Sequence, residues 1–401
     1  MNMRRWLTGL AGAIAMLAAG CGGGGGIGGT GAPMGTMRVS VTDAPACGYD
    51  EVNITVEKVR VHRSASASPD EPTGWSEIVL NPARRIDLLT LTNGALEELG
   101  EIELPAGTYQ QIRLVLADNA GTSPPANSVV LSGSGDEIAL TTPSAQQSGL
   151  KLNADVEVPA GKVLDVVLDF DACRSVVKRG NSGRYNLKPV ISVIPVLSDA
   201  GLRVVGYVDP ALVGPDTAVS VQTAASGVPP TLVKATIPDS TGRFVLRPVP
   251  EGNYTLVLTS PTHATAVMTG VPVTAAAPTT VSTQQFPLAP AAAASAPVTV
   301  SGSVQPVDAT VRVLQSLTGG PTVEIGFVPV DGDTGGFVTA LGLAAPLRTA
   351  YPAPANAPIT FTADPGAAGL YTLEAVSGGV AQAAEVDVNV APVPPVTFVF
   401  P

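Results

Sequence analysis

Two histidines and three cysteines in 401 residues leave little material for transition-metal or nucleophilic chemistry. His62 and His263 stand far apart, no C-x-x-C spacing occurs, and a zinc site built from imidazole and thiolate is excluded. Both histidines read as ordinary surface residues. No G-x-S-x-G element and no serine–histidine–acid set is present. Aromatic side chains make up 4% of the chain and charged ones 14%. A basic excess is also missing: the formal net charge is −11, which argues against nucleic acid and against electrostatic binding to an anionic membrane surface. Few stretches carry a helical period. What remains is a chain rich in Gly, Pro, Thr, Val and Ala. Its short alternating runs end in Gly or Pro, the signature of an all-β protein, and its length asks for more than one domain.

The N-terminus has the build of a secretory signal. Arg4 and Arg5 are followed by an apolar run from Trp6 to Ala19 that ends in small residues. The run is shorter than the roughly 20 residues that span a bilayer. Leu17-Ala18-Ala19-Gly20-Cys21 resembles a bacterial lipobox, which implies cleavage after residue 20 and acylation of Cys21. Several acyl chains on one residue give stable anchoring, at about 0.8 kcal/mol per buried methylene. Gly22 in place of an acid after the cysteine implies, by the same likeness, sorting to the outer membrane. Loss of Arg4 and Arg5 takes the charge from −11 to −13. Residues 21–36 then form a lipidated, glycine-rich tether. Gly26 to Gly31 matches G-x-G-x-x-G, but no strand precedes it and no helix follows, so it carries no dinucleotide reading.

Residues 37–196 form the first β domain. Met37 to Thr42 and Val52 to His62 alternate as strands, with Val52, Ile54, Val56 and Lys58 on one face. Ala95 to Leu99 is expected to make one helical turn. Leu164 to Asp171 is the most informative strand. Leu164, Val166, Leu168 and Phe170 share one face; Asp165, Val167, Asp169 and Asp171 share the other, with Asp169 and Asp171 about 7 Å apart.

Five blocks in this region resemble domain of unknown function 4382, found in bacterial envelope lipoproteins. They are Val41-Thr42-Asp43-Ala44-Pro45, Leu88-Leu89-x-Leu91-x-Asn93-Gly94, Leu104-Pro105-Ala106-Gly107-x-Tyr109-x-Gln111-Ile112-Arg113-Leu114, Leu168-Asp169-Phe170-Asp171-Ala172 and Leu187-Lys188-Pro189-Val190. The likeness implies envelope residence and brings no assigned activity.

Residues 203–289 read as a small sandwich. Gly206-Tyr207-Val208, Ala218 to Val221, Asp239 to Phe244 and Val249 to Leu256 follow in an order that resembles the carboxypeptidase regulatory-like, transthyretin-like domain. An Ala/Pro linker, Ala289 to Pro297, separates it from residues 298–401. There the same blocks return at Gly302 to Val304, Thr310 to Val313, Asp333 to Phe337 and Gly369 to Leu373. The repeated order identifies a diverged second copy with an insertion near 342–365.

Three candidate sites emerge. Asp43, Asp169 and Asp171 could supply hard oxygen ligands to calcium if the first loop packs beside the end of the long strand. The competing view makes these acids the solvated face of a half-buried strand and the cap of a turn. Cys47 and Cys173 lie a few residues beyond these acids. In an oxidising compartment they form a candidate disulfide, the alternative being two buried free thiols. Trp75, with Tyr49 or Tyr109, is a candidate aromatic platform for glycan. Arg174, Lys178, Arg179, Arg184 and Lys188 form the one basic cluster, suited to an anionic glycan or lipid headgroup or to ordinary counter-charges.

The sequence therefore reads as tandem β-sandwich-like domains behind a lipidated Gly-rich tether. The expected role is a non-enzymatic envelope lipoprotein, lipid-anchored at the outer membrane, whose partner is an envelope protein or a glycan. In that reading the first domain binds or builds, and the last two act as spacers. Cell-surface carbohydrate binding is the second reading. A hydrolase using Asp169 and Asp171 as paired carboxylates is the third.

Overall fold

The computed structural model describes residues 32–43, 48–142, 148–196, 201–225, 227–351 and 357–401. The signal segment, Cys21, nearly all of the glycine tether and Cys47 lie outside the described residues. Pro33–Pro401 forms one compact unit. Its described residues are predominantly β-strand in several sheets, some of them mixed, and the three largest hydrophobic cores divide it into modules.

The first module contains β1 (Met34–Asp43), β2 (Tyr49–His62), β3 (Ser76–Asp87), β4 (Glu97–Pro105), β5 (Gly107–Leu116), β6 (Ser128–Leu131), β7 (Glu137–Thr141), β8 (Leu150–Val158), β9 (Val163–Phe170), α1 (Ala172–Ser175), β10 (Val176–Arg179), β11 (Arg184–Leu187) and β12 (Ile191–Val196). One sheet runs β12-β9-β1-β4 and the other β10-β11-β7-β6-β2-β5-β8, with β3 paired to β2. Period-two alternation explains both. Met37, Val39 and Val41 of β1 are fully buried, while Arg38 and Ser40 between them are partly exposed. In β2 a bulge between Val56 and Lys58 re-aims the strand, so that Val59 and Val61 carry on the core face begun by Val52, Ile54 and Val56. Lys58 is thereby turned off the face that strict alternation assigns to it.

Two local expectations are corrected. Residues 95–99 make no helical turn: the turn lies earlier, a 3-10 helix over Leu88–Leu91, because Asp87 caps it by accepting from Leu89 N at 3.1 Å. Met34 to Thr36, assigned to the tether, already belong to β1, in register with Pro105 to Glu103 of β4.

The second module contains β13 (Val204–Tyr207), β14 (Ala218–Ala225), β15 (Val228–Thr236), β16 (Arg243–Leu246), β17 (Gly252–Ser260), β18 (His263–Val273) and β19 (Thr279–Thr280). The third contains β20 (Val298–Gln305), β21 (Thr310–Ser316), β22 (Thr322–Val328), β23 (Gly336–Leu341), β24 (Leu347–Ala350), β25 (Thr362–Ala363), β26 (Leu370–Ser377), β27 (Val380–Asp387) and β28 (Val396–Val399). The sheet β16-β13-β19 corresponds to β23-β20-β28, and β15-β14-β17-β18 to β22-β21-β26-β27.

The two modules share a detail of packing. Gly206 and Gly302 each leave room for a phenylalanine: a Cβ would lie 2.5 Å from Phe244 Cζ in one and 2.3 Å from Phe337 Cζ in the other. Gly242 and Gly335 each hold a positive φ, with a notional Cβ 2.3 Å from Val208 O and 2.2 Å from Val304 O.

The stretch between β23 and β26 does not stay with its own module. β24 pairs in parallel with β18, β25 pairs with β24, and the second module's sheet thereby grows to six strands. Leu347 enters the second core, with Tyr351, Ile359 and Phe361 packed against it. The Ala/Pro segment is also bound rather than free: Ala264 N donates to Ala291 O at 3.0 Å and Ala293 N to Thr262 O at 2.9 Å.

Candidate functional site

The polar residues singled out by spacing collect at one end of the first sheet, where the other two modules meet it. β1 and β9 are parallel neighbours, with Thr42 opposite Asp169 and Asp43 opposite Phe170. This register brings Asp43, Asp169 and Asp171 to the same edge, as a converging first loop requires. The inward face of β9 belongs to the first core, where Leu164, Val166, Leu168 and Phe170 are at most 1% exposed. Its outward face is covered too. Val167 packs with Ile194 and Val196, and Leu202 at the start of the second module lies over them. The solvated face expected for the acids is therefore absent at Asp43 and Asp169, which are 1% and 8% exposed.

Each carboxylate proposed as a calcium ligand is engaged by a donor of the protein. Asp43 Oδ1 accepts from Ala172 N at 2.9 Å, whereas its Oδ2 is buried without a hydrogen-bond partner among the described residues. Asp169 pairs with Lys234 Nζ, from β15 of the second module. Asp171 caps α1, accepting from Arg174 N at 3.0 Å, and pairs with Arg174 Nε at 3.1 Å. Among the described residues no group of three or more His, Cys, Asp or Glu is disposed to hold a metal ion. Burial pushes all three carboxyls above their ordinary range, Asp43 furthest; the nearby cations Lys234 and Arg174 oppose the shift without cancelling it.

Arg174 reaches on to Glu324 of the third module. Glu324 also pairs with Arg312 Nη1 at 3.0 Å, and Arg312 in turn holds Glu374, Nε to Oε1, at 2.7 Å. Gln222 of the second module closes the arrangement. Its Nε2 donates to Glu324 O at 2.6 Å, and its Oε1 accepts from Glu324 N at 2.8 Å. Three modules thus contribute to one buried polar network. Phe327 lies under the Arg174 guanidinium, 5.4 Å from its ring centroid.

Two further side chains of the basic cluster, Arg179 and Lys188, meet the third module, and Lys178 meets it through its backbone. Arg179 pairs with Asp333 at 3.1 Å, Lys188 Nζ donates to Asp308 O at 2.5 Å, and Gly332 N donates to Lys178 O at 2.8 Å. Asn93 performs the same service for the second module. It adopts a left-handed conformation, φ 57°. There its N–H donates to Thr236 Oγ1 at 2.6 Å, and its Oδ1 accepts from Val245 N at 2.5 Å. Spacing gave no sign of Lys234, Gln222, Glu324 or Asn93 as junction residues. A lysine inside an otherwise apolar strand was the one available signal, because lysine is rarely buried unpaired.

Cys173 is disulfide-bonded. Trp75 stands apart from this junction. Its Nε1 donates to Ser68 O at 3.0 Å, and its ring is faced by Arg60 and Arg113 at 4.5 and 5.7 Å and by His62 at 5.0 Å. Its suggested companions are engaged elsewhere: Tyr109 is 3% exposed, with its hydroxyl on Pro105 O, and Tyr49 meets Tyr185 edge-on. His62 is buried rather than superficial, and its Nδ1 accepts from Ser64 N at 2.9 Å.

Comparison with known proteins places a family domain on the first module. A DUF4382 domain, described as a domain of unknown function, occupies residues 34–189. No curated protein matches the chain. Among solved structures, two interface mutants of a type II cohesin–X-dockerin complex from Acetivibrio cellulolyticus are similar. An N-terminal interface mutant is 26% identical over 23% of this chain and 59% of that one, with a TM-score of 0.19. A C-terminal interface mutant is 27% identical over 22% and 56%, with a TM-score of 0.17. The matches span less than two thirds of either chain, and these scores are too low to describe a shared overall fold.

Proposed function

We propose that this DUF4382-bearing chain is a non-enzymatic structural or binding protein of the bacterial cell envelope, presented as one stiff three-module body on a lipid carried by Cys21. The observation that carries this reading is the shared network around Glu324, to which all three modules contribute. Buried ion pairs between modules fix geometry more than they add stability. A protein that needs a fixed outline for assembly or recognition has use for such a junction; a string of spacers does not. The second and third modules are read as diverged copies of a carboxypeptidase regulatory-like sandwich, supported by their shared strand order and paired Gly–Phe contacts. Anchoring at the outer membrane is supported only by the lipobox-like segment and by Gly22 after its cysteine.

The test is a capture experiment. The compact unit Pro33–Pro401, immobilised, is exposed to solubilised envelope from the native host. Specific retention of an envelope protein or glycan supports the reading. Product released from envelope material by the free protein, and abolished in Asp169→Asn, would overturn it in favour of a hydrolase.

A further inference from the structure

The geometry points to a self-made covalent cross-link: Lys234 Nζ and Asp169 Cγ are placed to condense into an isopeptide bond that joins the second module to the first. Three observations carry it. Lys234 is 2% exposed and belongs to the largest fully buried side chains of the protein, an unusual position for lysine. Its Nζ is in direct contact with Asp169 Oδ1, and Asp169 is itself 8% exposed. A second carboxyl, Asp43, ends the adjacent parallel strand one register step beyond Asp169, and both Asp169 and Lys234 act on it electrostatically. Its Oδ2 is buried with no hydrogen-bond partner among the described residues.

The chemistry balances without a co-reactant. A lysine ammonium and a carboxylate contain the atoms of one amide and one water. Lys234 gives up one proton, its nitrogen lone pair attacks Asp169 Cγ, the N–C bond forms, and the nitrogen then gives up a second proton. One Asp169 oxygen takes up two protons and leaves as water as the C–O bond breaks. No oxidation or reduction occurs. Asp43 is suited to carry these protons from nitrogen to the departing oxygen, because burial keeps its carboxyl protonated over a wider range than usual and its Oδ2 has no hydrogen-bond partner among the described residues. The surroundings favour the product. Two opposite charges in a dry site bear a desolvation cost that a neutral amide does not. Contact geometry supplies the proximity that makes an intramolecular condensation feasible. The cross-link lies four residues from the disulfide-bonded Cys173, so two covalent ties would secure the same edge.

Peptide mapping of the full chain, reduced and denatured, tests this directly. Trypsin cannot cut after an acylated lysine. The expected product is therefore a branched peptide in which residues 163–174 are joined to residues 204–243, lighter by one water than the sum of its parts. Recovery of residues 163–174 and 204–234 as separate linear peptides, with no branched species, overturns the proposal. Asp43→Ala is expected to abolish the branched peptide while the far-ultraviolet circular dichroism stays unchanged, and Asp43→Glu to restore part of it. Undiminished cross-linking in Asp43→Ala would remove Asp43 from the reaction. Should Asp43→Ala fail to fold, the same comparison is made with Asp43→Asn.

Discussion

Arg174 of the first module and Glu324 of the third form an ion pair at the point where all three modules meet, with the glutamate side chain only 4% exposed. Arg174 is held from behind by Asp171, and Glu324 is shared with Arg312. Truncation of Arg174 to Ala leaves Glu324 with one of its two cations and should cost about 2 kcal/mol, in the range for a hydrogen bond to a charged group. A double-mutant cycle with Glu324→Ala, read by chemical denaturation, should give a coupling of roughly 0.5–3 kcal/mol. Additive losses would show that the two residues do not act together.

Acid strengthens one side of this protein. Asp43 titrates well above its ordinary 3.8 because it is buried. Asp171, facing Arg174, is also raised by burial, as is Asp169 wherever it is not condensed with Lys234. Between the unfolded and folded values the native state binds more protons, so stability is full below the unfolded value and falls as pH rises through the folded one. Asp239, Asp331 and Asp364 are lowered by their hydrogen bonds and act in the opposite sense, losing stability as pH falls below 3.8. Melting temperature should therefore decline from the mildly acid range upward, and Asp43→Asn should flatten that decline. Parallel pH curves for the two proteins would contradict the assignment.

Divalent cations should leave the junction untouched. The three aspartates meet Ala172 N–H, Lys234 and Arg174, and an added calcium ion would have to displace these donors. Melting temperatures in calcium and in EDTA should coincide; a clear rise with calcium would restore these carboxylates as ligands.

The Cys173 disulfide should matter more than any single contact. Cys47 is its proposed partner, and the bridge would close a loop long enough to contribute about 4–5 kcal/mol in the chain-entropy model. Cys173→Ser should lose stability of that order, and non-reducing peptide mapping should join residues 47 and 173. Equal stability of the reduced and oxidised protein would contradict the expectation.

Paired turns give a further check. Alanine at Gly242 or Gly335 would place a Cβ against a backbone carbonyl at a positive φ, so each substitution should cost more than about 1 kcal/mol. Gly227, also at positive φ but in open space, should lose less on the same change. A cost at Gly227 equal to that at Gly242 would show that carbonyl contact plays no part.

Much of the architecture was legible because period-two burial is written directly into strands such as β1 and the inward face of β9. The outward face of β9 was not. Alternation reports which side of a strand is polar, and Asp169 looked solvated until Lys234 arrived from a strand 65 residues later. The stretch around Leu347 failed for a related reason: its apolar residues fit a core, but nothing local says that the core belongs to the preceding module. The helical turn expected near Ala95 lost to β4, whose pairing with β1 overrides a weak local preference. The basic cluster was found, but a charge pattern cannot reveal that Asp333 and Asp308 wait on another module.

Joined around Glu324, the three modules should behave as one body. Differential scanning calorimetry of Pro33–Pro401 tests it most directly, since independent modules melt independently. A single transition whose calorimetric and van't Hoff enthalpies agree is the predicted result. Two or three separable transitions, unchanged by Arg174→Ala, would contradict it and return the later modules to the role of spacers.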